Sequence, residues 1–135
     1  MENRKKLVSY RDSGLLNHLL RINSYDGLVS HPSRGHLWEG VVIEEVIRGF
    51  QSLGSAFDYY YYRTAAGAEV DLVLEGSFGL LPIEIKYGQS ISLKELRGIR
   101  DFVDERKCKY GIVINNDEKL RLYDDKLIGV PFNML

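Results

Sequence analysis

Apolar and polar positions recur along the chain in patterns that mark out two long helices and a series of strands. Over residues 37–50, Trp38, Val41, Val42, Val46 and Phe50 fall at helical spacing, and Gly54 follows where a helix can end on a left-handed residue. The pattern then changes to three strand-like runs, at 57–63, 68–75 and 80–87. A second helix is expected from 93 to about 107, opened by Ser92 and Glu95, whose spacing makes a capping box. Residues 109–114 are apolar enough for a buried strand. The runs 120–123 and 127–131 predict a closing hairpin or edge pair around Asp124-Asp125. Ahead of the first long helix, 6–12 reads as a short strand. Asp12 or Ser13 can then cap a short helix carrying Leu15, Leu16, Leu19, Leu20 and Ile22, and 23–35 reads as loop. The central order is helix, strand, strand, strand, helix, strand. Three hairpin-linked strands followed by a helical crossover predict an α/β fold with a mixed central sheet flanked by helices.

At 135 residues the chain suits one domain with a single proper core. Residues 1–35 would be an N-terminal extension, 36–115 the core and 116–135 the closing strands. Apolar residues make up 44% and charged residues 27%, the balance of an ordinary globular protein. No run approaches the roughly 20 apolar residues that span a bilayer, and the first residues lack a signal-peptide core. The single cysteine, Cys108, excludes an internal disulfide and supplies no metal-ligand spacing. A cytoplasmic protein without a membrane partner is the expectation. The net charge of −1 matters more. A domain that grips nucleic acid by phosphate neutralisation alone is usually basic, so binding here would need a local patch, a cation or a partner.

The middle two strands hold the candidate chemistry. In 70–75, Val70, Leu72 and Leu74 share one face by alternation and Asp71 lies on the other. In 81–87 the odd positions are apolar, while Glu84 and Lys86 point the opposite way. If Gly76-Ser77-Phe78-Gly79 is a four-residue hairpin loop, Glu75 pairs with Leu80, and counting back sets Asp71 opposite Glu84 and Glu69 opposite Lys86. Directly opposed carboxylates, with Cβ atoms ~5 Å apart, repel each other. A hard divalent cation bridging them would offset that, and Mg²⁺ is commonly held by one or two carboxylates plus waters. Lys86 could orient or help deprotonate a water, or stabilise charge on a phosphate. The plain alternative is a half-exposed hairpin whose outer face carries routine polar residues, including a Glu69–Lys86 surface pair. Spacing alone favours that alternative.

Resemblance shifts the balance. Asp71, then Glu84-Ile85-Lys86, following a helix that holds a glutamate, resembles the PD-(D/E)XK signature of the restriction-endonuclease-like superfamily. Five ordered motifs resemble one branch more closely, the domain-of-unknown-function family 4143. They are Tyr10-Arg11-Asp12-Ser13-Gly14-Leu15-Leu16, Trp38-Glu39-Gly40, Tyr62-Arg63-Thr64, Gly67-Ala68-Glu69-Val70-Asp71 and Ile83-Glu84-Ile85-Lys86. The resemblance implies a restriction-endonuclease-like core at the C-terminal end of a prokaryotic AAA-type ATPase. It also implies Mg²⁺- or Mn²⁺-dependent hydrolysis of DNA or RNA. Asp71 and Glu84 would then be metal ligands, with the Ile85 carbonyl as a third oxygen, and Lys86 the catalytic lysine. Glu39 corresponds best to the accessory acid; Glu44 and Glu45 lie one to two turns further along. Val70 stands where the signature has proline, and no Gln-x-x-x-Tyr motif follows on the next helix, which leaves the substrate open. A second reading of the same resemblance is a catalytically inactive module for interaction, recognition or oligomerisation of the ATPase.

Other features read more plainly. Tyr59 to Tyr62 could stack bases, but alternate tyrosines in a strand more often pack on both sides of a sheet. Arg63 remains a candidate phosphate contact. Lys94, Arg97 and Arg100 could form a basic strip, although the interspersed Glu95, Asp101, Asp104 and Glu105 suit a solvated helix face. His18, His31 and His36 show no ligand spacing, and no Walker-type loop occurs.

Overall fold

The computed structural model describes residues 2–6, 34–54 and 56–135, with side chains from residue 38 onward. The elements are β1 (Glu2–Lys6), α1 (Arg34–Ser52), β2 (Phe57–Thr64), β3 (Glu69–Gly76) and β4 (Gly79–Ile85). A 3-10 turn (Leu93–Leu96) then leads into α2 (Arg97–Glu105), followed by β5 (Gly111–Asn115), β6 (Arg121–Leu122), β7 (Leu127–Pro131) and a closing 3-10 turn (Phe132–Met134). Apart from Lys6, the strand expected at 6–12 lies outside the described residues. So do the short helix carrying Leu15 to Ile22, the loop ahead of residue 34, and His18 and His31. His36 lies in α1, but its side chain also falls outside them. No helix of the described residues is long and apolar enough to cross a membrane.

The strands form one sheet in the order β1-β2-β3-β4-β5-β7-β6. β1 to β4 are antiparallel neighbours, whereas β4–β5 and β5–β7 are parallel, so the sheet is mixed as expected. Both its faces are covered. On one, Trp38, Val42, Ile43, Val46 and Ile47 of α1 pack on Leu72, Leu74, Ile83, Ile85 and Ile114. On the other, Leu96, Ile99, Phe102 and Val103 pack on Tyr60, Tyr62, Val70, Val73 and Val113. β6 pairs antiparallel with β7 at the edge, which is the expected closing pair.

Three local expectations change. The β3–β4 loop is two residues, not four, because Gly76 pairs with Gly79. A Cβ at Gly76 would meet the Phe78 ring at 2.9 Å, and Gly79 has φ +92, so glycine at both ends permits the tighter turn. The second helix begins with a 3-10 turn and ends at Glu105. Its capping box is present: Ser92 N–H donates to Glu95 Oε2 (2.7 Å) and Glu95 N–H to Ser92 Oγ (3.4 Å). Val70 does not share a face with Leu72 and Leu74. The β2–β3 ladder steps from Tyr60↔Val73 to Tyr62↔Val70, so Asp71 and Leu72 together stand against Tyr61. This β-bulge interrupts the alternation and puts Val70 and Val73, three residues apart, in the same cluster.

Candidate metal centre

The bulge at Asp71 lies where β3 and β4 part. Their ladder runs from Gly76↔Gly79 to Leu72↔Ile83 and ends there. The expected register therefore holds, and the next step brings Asp71 to Glu84. Beyond the ladder, Ile85 N–H lacks a β3 backbone acceptor and donates instead to Asp71 Oδ2 at 2.8 Å. A bulge commonly re-aims a side chain; here the carboxylate fills the gap between two diverging strands. On the other edge of β4, Lys86 N–H donates to Ile114 O on β5 (2.9 Å). One strand residue sends its N–H and C=O to the same edge, so the Ile85 carbonyl leaves β4 on the Asp71 side.

Glu84 is 8% exposed. Burial pushes its carboxyl up to about 9, and a hydrogen bond with the Asp71 carboxylate and that group's charge add to the rise. The Lys86 ammonium opposes it, with Nζ 3.9 Å from Glu84 Oε1, and the Glu39 carboxylate adds a smaller push. Burial and the neighbouring Asp71 carboxylate thus both favour the neutral form of Glu84.

The sequence-predicted residues divide accordingly. Asp71, Glu84, Ile85 and Lys86 come together, and Glu39, half-buried on α1, is close enough for its charge to act on Glu84. Trp38, next to Glu39, packs edge-on against Tyr87, next to Lys86, with ring centroids 5.4 Å apart. Glu44 and Glu45 instead bridge to Arg48 along α1. Arg63 does not reach Glu84; it lies beside Asp71's strand, paired with Glu69 at 3.4 Å. The expected Glu69–Lys86 pairing is absent. The β3–β4 ladder stops before those positions, and the bulge leaves Glu69 facing β2. Sequence reasoning missed Tyr61, whose hydroxyl lies within the influence of the Glu69 carboxylate and feels the charge of Asp71. Its only signal was its alternation with Arg63. The basic strip is largely neutralised, with Arg97 on Asp101 (3.8 Å) and Arg100 on Asp124 (3.1 Å).

The converging donors are all hard oxygens, the type Mg²⁺ and Mn²⁺ take together with waters. Among the described residues no three His, Cys, Asp or Glu side chains close on one point. Asp71 and Glu84 supply two side-chain carboxylates there, and the Ile85 carbonyl leaves β4 on the same side. A cavity of about 530 Å³ nearby, lined by residues including Ser92, Glu95, Arg121 and Tyr123, contains none of these donors. The charge of Lys86 reaches its Glu95 carboxylate.

Comparison with known proteins gives a family and no activity. A family model described as "Domain of unknown function (DUF4143)" matches residues 34–135. An uncharacterised protein of Mycobacterium bovis and one of Mycobacterium tuberculosis are each 31% identical over 135 residues, covering 99% of this chain. The chain spans 29% of the length of these curated relatives. No solved structure matches it.

Proposed function

Since the chain belongs to the family described as domain of unknown function 4143, we propose from its own site that it is a metal-dependent nuclease-type phosphodiesterase domain acting on DNA or RNA. The observation that carries this is the buried Glu84 carboxyl bonded to Asp71 at the parting of two strands, with Lys86 beside it. A buried carboxyl beside a second, part-buried one is disfavoured as a charge unless a proton or a cation offsets the repulsion. Asp71, Glu84 and the Ile85 carbonyl would hold Mg²⁺ or Mn²⁺. Such an ion supplies charge to neutralise a phosphoryl oxygen and makes a water more acidic.

The chain's own residues do the rest. Lys86 donates to a phosphate oxygen or to the attacking water, its ammonium kept near the site by Glu84. Glu39 supports the negative potential that attracts the cation. Arg63 contacts a backbone phosphate. The helix-strand-strand-strand-helix-strand order and the mixed sheet agree with a restriction-endonuclease-like fold. The length of the relatives agrees with a domain carried by a longer protein, such as an AAA-type ATPase. A lone buried thiol, Cys108, suits a cytoplasmic setting.

The second reading is a catalytically inactive interaction module. It is favoured by the net charge of −1 and by there being two side-chain ligands in the set among the described residues. Calorimetric titration of Mn²⁺ into the wild type and Glu84→Gln separates the two. Saturable binding that the substitution abolishes supports the nuclease reading and sets up cleavage assays on DNA and RNA. No binding by the wild type would replace it with the module.

A further inference from the structure

Beside Asp71 the sheet carries a second polar cluster. Arg63 and Glu69 are cross-strand partners, with Arg63 Nε 3.4 Å from Glu69 Oε1 and both side chains about half exposed. Tyr61, on the same face of β2, stands opposite the bulge, and its hydroxyl lies within the influence of the Glu69 carboxylate. Tyr60 and Tyr62 point the other way, into the core under α2. Burial and the Glu69 carboxylate push the Tyr61 hydroxyl up to about 12, helped by Asp71 and opposed by Arg63. The phenol is therefore a donor at any working pH. A guanidinium and a phenolic O–H converge on one carboxylate, next to the residue that would hold the metal.

Two donors beside one anion form a place that a phosphate oxygen can take as readily as a carboxylate oxygen, and guanidinium geometry suits either. Glu69 is tied only by partly exposed contacts, so its departure costs little. We propose that Arg63 and Tyr61 hold a backbone phosphate of the nucleic-acid strand beside the cleaved bond, and that Glu69 fills their place in the free protein. Glu69 is thus a built-in competitor: substrate exchanges one anion for another. This rests on the nuclease reading of the Asp71–Glu84 site and assigns Tyr61 and Glu69 parts that no motif gave them.

The two partners of the ion pair then have opposite effects, which a plain surface salt bridge does not produce. The test is fluorescence anisotropy with labelled single-stranded DNA, duplex DNA and single-stranded RNA of mixed sequence. Ca²⁺ replaces Mg²⁺ to hold back cleavage. Arg63→Gln should weaken binding about tenfold and lower the salt slope by about one phosphate contact. Glu69→Gln should tighten binding roughly threefold to fivefold, the most that freeing an exposed ion pair allows, without lowering that slope. Circular dichroism checks that both variants fold; Glu69→Gln alone still decides the matter if Arg63→Gln does not. Wild-type binding left unchanged by both substitutions overturns this proposal and spares the nuclease reading. Weaker binding in Glu69→Gln also overturns it, since Glu69 would then be positioning Arg63. No binding of any probe by the wild type overturns both.

Discussion

Replacing Glu84 with glutamine should make the domain more stable at neutral and alkaline pH, although it removes a charged group from the candidate site. Glu84 is 8% exposed, and its carboxyl is pushed from an ordinary 4.5 to about 9, first by burial and then by Asp71. Between those two values the folded chain holds a proton that the unfolded chain releases. Stability therefore falls as pH rises through that window, by at most ~1.4 kcal/mol per pH unit. From pH 6 to pH 8 the wild type should lose up to roughly 3 kcal/mol. For a domain of this size that lowers the melting temperature by about 10 °C. The amide of Glu84→Gln donates to Asp71 without titrating, so its melting temperature should stay nearly level over the same range. Among the described residues the other shifted groups fall outside the window. The lowered Glu95 and Asp117 lose their stabilising effect only as pH falls through their acid range, and the raised Cys108 and Tyr61 act above about pH 9. The assay is thermal unfolding by circular dichroism at half-unit pH steps, read as variant minus wild type. Saturating Mn²⁺ should flatten the wild-type slope, because a cation takes the ionised carboxyl and expels the proton. Parallel curves for the two proteins would refute the reasoning, since Glu84 would then be ionised in the fold. The same experiment guards the calorimetric test, because a variant shown to be more stable cannot have lost metal through unfolding.

Lys86→Met should leave Mn²⁺ binding measurable by calorimetry while cutting hydrolysis by about 10²-fold or more, the usual scale for a positioned acid–base group; equal turnover would remove Lys86 from the chemistry. Phe102→Ala should cost about 3–5 kcal/mol in urea unfolding, because the ring is buried on α2 and packs edge-on against Tyr62 at 4.7 Å. A loss under about 1 kcal/mol would mean that this side of the sheet is not packed as described. Gly98→Ala should destabilise by roughly 1–2 kcal/mol although alanine favours helix, since its Cβ would stand 2.8 Å from the Glu69 carbonyl oxygen. Stabilisation instead would show that α2 does not approach β3 so closely.

What the sequence determined by itself was local and periodic. The 3.6-residue recurrence of Trp38, Val42 and Val46 specified α1, and the Ser92–Glu95 spacing specified the start of the second helix. The alternation Leu81, Ile83, Ile85 specified which side of β4 is apolar. The register of Asp71 with Glu84 was also legible, because a hairpin count is the same for a two-residue and a four-residue loop centred on Ser77-Phe78. What only the tertiary structure decided was where alternation breaks and what burial does to charge. A bulge adds one residue against the partner strand and leaves no mark in a single strand's pattern, so Val70 changed face and Glu69 turned to Arg63 rather than Lys86. Arg63, Tyr61 and Glu69 meet because two ladders end at different points, which no spacing along the chain encodes. Glu84 was readable as an acid; that its neutral form is favoured depends on helices packed over both faces of the sheet, since desolvation belongs to the whole fold rather than to any residue in it.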